Sequence, residues 1–140
     1  MTYHFQVHQE GQGFWAECIE IRGIVTQANT HAELSANAKE ALYLALDEPE
    51  DSKMIFPLPQ ELKGRNIIAI EVDPSIAFAM LVRQARIAHK LTQQQAAKAM
   101  GFKGLYSYQR LESGKHCNPA LSTIVKVCKV FPEVDLSLVC

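Results

Sequence analysis

Residues 91–101 read Leu91-Thr92-Gln93-Gln94-Gln95-Ala96-Ala97-Lys98-Ala99-Met100-Gly101, and their spacing decides how the second half of the chain folds. Thr92 and Gln95 stand in capping-box register: the threonine oxygen takes a free N–H of the first helical turn, and the glutamine reaches back to the cap. This predicts a helix over about 92–100. Ala97 is small where a second helix must pass close, and Gly101 supplies the left-handed backbone of a tight helix end. A further helix is expected over about 104–112, with Leu105, Tyr108 and Leu111 inward at i, i+3 and i+6. A small residue, a glycine four later and then this apolar triplet make the helix-turn-helix arrangement.

Working outward, Asp73-Pro74 starts the helical half, since Asp caps well and Pro is tolerated at the first helical position. Helices are predicted at about 74–89, 119–131 and 135–139 besides the two above. Upstream the period changes to two. Tyr3, Phe5 and Val7 alternate with His4, Gln6 and His8, the pattern of a half-buried strand. Gly11-Gln12-Gly13 reads as a turn into Phe14–Ile19, and a third strand follows over Ile24–Ala28. Short turns between consecutive strands favour an antiparallel meander. Thr30 and Glu33 form another capping box, and Leu34, Ala38, Ala41, Leu42, Ala45 and Leu46 then recur at helical spacing. Residues 48–66, punctuated by Pro49, Pro57, Pro59 and Gly64, read as a long connection to a last strand at Ile67–Val72. The fold class is thus α+β: a β-β-β-α-β domain over 1–72, then an all-α helix-turn-helix bundle over 73–140.

The 140 residues are 48% hydrophobic and 21% charged, ordinary for a globular chain. No apolar run approaches the roughly 18–20 residues of a membrane helix, and the alternating N-terminus is not a signal peptide. Cys18, Cys117, Cys128 and Cys140 have no C-x-x-C spacing and read as reduced thiols of a cytoplasmic protein. The net charge of −1 hides a strong polarity. Residues 1–73 carry five basic against twelve acidic side chains, a balance of −7, whereas 74–140 carry nine against three, a balance of +6. Such asymmetry suits two different partners, a polyanion for the basic half. It equally suits two solvated surfaces of opposite sign.

The basic half resembles the phage-repressor (XRE-type) DNA-binding family. The resemblance covers about residues 80–131 and rests on Arg86-Ile87, Leu91-Thr92-Gln93, Ala96-Ala97, Gly101, Leu111-Glu112-Ser113-Gly114-Lys115, Asn118-Pro119 and Leu121-Ser122-Thr123-Ile124. The segment Gly101–Glu112 is one residue longer than the family pattern, at Lys103-Gly104. The resemblance implies a second helix lying in the major groove, where base edges carry a full donor and acceptor code. Its outward face offers Tyr106, Ser107, Gln109 and Arg110; Arg110 suits guanine and Gln109 adenine. Gln93, at a helix N-terminus, suits a phosphate, and Gln94 beside it is a further candidate DNA contact. Lys103, Lys115, His116 and Asn118 lie on loops fit to hold the DNA backbone. A solvated helix face is the plainer alternative. In the family, the pair matching Arg86 and Glu112 is a partly buried ion pair, a structural role.

Residues 1–72 resemble the HicB antitoxin family through Gly23, Thr30, Glu33, Asn37-Ala38, Glu40-Ala41-Leu42 and Pro57-Leu58-Pro59. The family's Pro-Asp-x-x-Gly element is replaced here by Glu20-Ile21-Arg22-Gly23. The resemblance implies a partial RNase H-like domain that binds a HicA-like toxin, a small basic ribonuclease. It also implies a second domain that represses the shared operon by binding operator DNA. An acidic domain suits a cationic partner.

An RNase H-like fold also invites metal-dependent cleavage, for which Glu17, Glu20, Glu71 and Asp73 are available. Glu17 and Glu71 alternate onto exposed strand faces, however, and the five histidines show no ligand spacing beyond His4/His8. The expectation is a chain that is not an enzyme and has no metal and no cofactor. One helix-turn-helix makes few contacts, so a homo-oligomer, a dimer or dimer of dimers, is expected on an inverted repeat. Its surface is either the apolar Val125–Val139 segment or the sheet of the first domain. The alternative to an antitoxin is a stand-alone repressor whose first domain senses a small molecule or oligomerises.

Overall fold

The computed structural model describes residues 1–140 and divides into two compact units, Met1–Val72 and Asp73–Cys140. The class is α+β, with an antiparallel four-stranded sheet in the first unit and helices throughout the second.

In the first unit the strands are β1 (Thr2–Glu10), β2 (Gly13–Cys18), β3 (Val25–Ala28) and β4 (Ile67–Glu71), ordered β3-β2-β1-β4. Gly11, at φ +61°, makes the tight β1–β2 turn with Gln12. Helix α1 (His31–Leu46) packs on one sheet face, where Tyr3, Phe5, Ala16, Leu34, Ala38 and Leu42 are completely buried. Thr30 Oγ1 accepts the Glu33 N–H at 3.2 Å, which is half of the expected capping box. The connection 48–66 has no helix or strand but is tied down. Tyr3 donates its hydroxyl hydrogen to the Pro57 carbonyl at 2.8 Å, and Phe56 is buried.

The second unit holds α2 (Pro74–Ala88), α3 (Gln93–Ala99), α4 (Leu105–Gln109) and α5 (Leu121–Val130). Three boundaries differ from the sequence reading. The helix expected over 104–112 is α4 followed by a 3₁₀ turn at Arg110–Glu112. The helix expected from 119 starts at Leu121, after Asn118-Pro119-Ala120. The segment 135–139 forms only a 3₁₀ turn, Leu136–Leu138, whose Asp135 carboxylate accepts from Ser137 N and Oγ. That contact fixes the chain locally, and the run is too short to propagate a helix. Tyr108, Leu111, Val127 and Phe131 form the core with the inner face of α2.

Candidate nucleic-acid interface

The turn between α3 and α4 is built by local backbone chemistry. Thr92 and Gln95 exchange both capping bonds, Gln95 N to Thr92 Oγ1 at 3.1 Å and Thr92 N to Gln95 Oε1 at 2.9 Å. Ala96 and Ala97 are buried and let neighbouring helices approach. At the other end Gly101, at φ +76°, donates to Lys98 O, and Phe102 N donates to Ala97 O, both at 3.0 Å. These are the two bonds of a Schellman motif, which satisfies the last carbonyls of α3 and turns the chain sharply. Gly104, at the one-residue extension, then caps α4 with extended backbone.

Tyr108 and Leu111 face inward as expected, at 0% and 4% exposure, but Leu105 does not. It is 40% exposed, because α4 begins at this residue and the Phe102 ring lies beside Tyr108, 6.5 Å between centroids.

Beneath α4 lies a buried polar network. Glu112 accepts from Arg86 Nε at 2.7 Å and from Nη2 at 3.0 Å, while Arg86 Nη1 donates to the Leu91 carbonyl at 3.0 Å. Side-chain exposures of 8% and 4% make this a buried ion pair joining α2 to the 3₁₀ turn that follows α4. Burial pulls the Arg86 guanidinium pKa down, but the Glu112 hydrogen bonds and charge outweigh it, and the net shift is upward. Burial, reinforced by the Glu112 carboxylate, pushes the Tyr108 phenol well above its ordinary range.

The network reaches the surface through two glutamines. Gln93 Nε2 donates to Glu112 Oε1, and Gln109 Nε2 donates to Gln93 Oε1, each at 3.3 Å. Gln109 is therefore half-buried and oriented, where the sequence reading has it pointing freely outward. No spacing rule announces this link, because it joins residues on two helices whose separation the turn geometry sets.

The remaining expected residues are exposed: Gln94 on α3, Tyr106, Ser107 and Arg110 on α4 and its extension, and Lys103, Lys115, His116 and Asn118 on loops. Tyr106 is 71% exposed. Tyr106, Ser107, Arg110, His116 and Asn118 share one concavity of about 340 Å³, together with Thr123 of α5. Gln93, Gln94, Lys103 and Lys115 lie outside it. This face carries cations, amides and hydroxyls and no carboxylate, so it suits an anionic backbone with hydrogen-bonding edges.

The first unit gathers its carboxylates differently. Glu20, a candidate metal ligand on sequence grounds, is enclosed: its side chain is 1% exposed and accepts from His4 N at 2.9 Å and Gln60 N at 3.2 Å. Its other contact is the His4 ring, Nδ1 to Oε2 at 2.8 Å. The alternation of β1 places His4 on the polar side, yet it is 8% exposed because the 18–24 turn folds over it and Ile19 N bonds the His4 carbonyl. Glu20 is thus spent on holding backbone, and Glu17 contacts His8 instead. No group of three or more His, Cys, Asp or Glu residues is placed to hold a metal ion. No helix is long and apolar enough to cross a membrane.

Comparison with known proteins agrees with this geometry. Residues 82–139 match the family described as Helix-turn-helix, the segment that contains α3, the Gly101 turn and α4. The chain is also similar to "Antitoxin HicB" of Escherichia coli (strain K12) and of Escherichia coli O157:H7. Identity is 33% over 89 residues in both cases, covering 64% of this chain and 64% of each relative.

Proposed function

We propose that this chain, similar to HicB antitoxins and carrying a C-terminal helix-turn-helix, is the antitoxin and autorepressor of a type II toxin–antitoxin pair. Residues 1–72 bind and neutralise a HicA-like ribonuclease, and residues 73–140 bind operator DNA upstream of the shared operon. The chain works by binding, not by catalysis. The observation that carries the reading is the face of the helix-turn-helix unit. Arg110, Tyr106, Ser107 and His116 are exposed together, while the adjoining Gln109 and Gln93 are held in place by a buried ion pair. Such preorganised side chains lose little entropy when they meet base edges. In the proposed complex Arg110 and Gln109 read bases, while Gln93, Gln94, Lys103, Lys115, His116 and Asn118 hold phosphates.

The repressor acts as a homodimer. Part of the apolar C-terminal segment is consumed internally, since Val127, Phe131 and Val134 are buried. Leu121, Val125 and Leu136 remain 78%, 46% and 39% exposed and supply the apolar surface for a second copy.

Two measurements test the reading. Co-expression of the chain must abolish growth arrest by the cognate HicA-like protein, and footprinting must show protection of an inverted repeat upstream of the two genes. Continued arrest removes the antitoxin assignment, and uniform protection of any duplex removes the repressor assignment.

A further inference from the structure

The sheet of the first unit has one face covered by α1; the other is closed at His4 by the 18–24 turn and open around Gln6, His8, Trp15 and Val25. The rows Gln6–Glu17–Val25 and His8–Trp15–Gln27, paired across β1, β2 and β3, lie on the open side. A solvated sheet face is normally polar, but this one carries Trp15 half-exposed and Val25 56% exposed. Trp15 does not float. Its ring stacks on His8, 4.0 Å between centroids and 19° between planes, and His8 Nε2 lies 3.1 Å from Glu17 Oε1. The indole is a fixed platform ringed by polar groups, the composition of an interface anchor.

The charge of the sheet is one-sided. Its four strands contain Glu10, Glu17 and Glu71 and no lysine or arginine. Beside Trp15 the sheet edge opens into a concavity of about 320 Å³ that Glu10 and Glu33 flank. Two carboxylates beside aromatic walls suit a guanidinium, which forks to carboxylate oxygens and stacks on rings.

We infer that the open sheet face centred on Trp15 is the docking surface for a cationic protein, with a basic side chain of that partner seated in the notch between Glu10 and Glu33. This rests on the antitoxin reading, in which the partner is the HicA-like ribonuclease. A second copy of this chain is a poor occupant, because face-to-face pairing sets carboxylate against carboxylate.

Trp15 is the only tryptophan in the chain, so fluorotryptophan incorporated into the full-length protein reports on this face alone. Titration with the unlabelled HicA-like protein is expected to shift the Trp15 fluorine resonance and saturate with binding measured by calorimetry. Val25→Arg, at an exposed site that leaves the core intact, is expected to weaken the complex about 100-fold, and Glu17→Lys about tenfold or more. The exposed Glu40→Lys on α1 changes affinity less than about threefold. None of these alters the molar mass in solution or operator affinity. Tight binding by wild type with a static resonance, or retained by Val25→Arg and Glu17→Lys, overturns the docking face and leaves the antitoxin reading standing. A changed molar mass in Val25→Arg assigns the face to a second copy and also overturns it. Absence of any binding by wild type overturns the antitoxin reading and the docking face together.

Discussion

Gln109 on α4 donates its side-chain hydrogen bond to Gln93 on the preceding helix at 3.3 Å. Gln93 is therefore both a candidate phosphate contact and the clamp that orients a candidate base contact. Gln93→Ala is expected to weaken operator binding and to relax preference at the base pair facing Gln109 by about 1–3 kcal/mol. Binding to a set of single-base operator variants checks this. A uniform loss with the preference intact would show that Gln109 needs no clamp.

The Arg86–Glu112 pair predicts an asymmetric response to mutation. Arg86→Met strands the Glu112 charge in a buried site and is expected to cost about 3–5 kcal/mol, whereas a combined Arg86→Met and Glu112→Leu change costs much less. Urea denaturation of the single and double variants measures both. Equal losses would place the stability of this joint in apolar packing alone.

Arg110 and Lys115 should separate on DNA. Arg110→Ala is expected to lose sequence preference, by about 1–3 kcal/mol at one base pair. Lys115→Ala weakens all sequences alike and lowers the salt slope by about 1. Titrations at several salt concentrations, on operator and on scrambled duplex, distinguish the two.

Tyr108 gives the second unit a sensitivity to alkali. Its folded pKa is raised by burial above the unfolded value of 10.0, so the stabilisation is complete below pH 10 and is lost as pH rises beyond it. The expected loss is about 1.4 kcal/mol per pH unit above that point. Tyr108→Phe should flatten this slope between pH 10 and pH 11.5, read by denaturant midpoints of the second unit. A slope unchanged in that variant would assign the alkaline loss to other groups.

Cysteine reactivity should follow burial. The Cys117 thiol is buried and pushed up to about 11, whereas Cys140 is exposed. At pH 7.5 a maleimide is expected to label Cys140 within minutes and Cys117 only after unfolding, since the thiolate is the reacting form. Peptide mass mapping against time gives the order, and rapid labelling of Cys117 in the folded chain would contradict its enclosure.

By itself the sequence determined the elements whose signals are local. Thr92 with Gln95, Gly101 in its left-handed turn, and the alternation of β1 each act on backbone groups within a few residues, so their spacing already specifies the structure. The face of α4 and its 3₁₀ extension was legible in part: period and polarity place Tyr108 and Leu111 inside and Arg110 outside, but misplace Leu105 and Gln109. What the tertiary structure decided are the relationships between residues on separate elements: Glu20 closing on His4 and Gln60, Gln109 bonded to Gln93, and Trp15 stacked on His8 on an open face. Each depends on the distance between side chains on separate elements, to within the reach of one hydrogen bond or one ring. Local propensity constrains no such distance; only the packing of helix on helix and strand beside strand sets it.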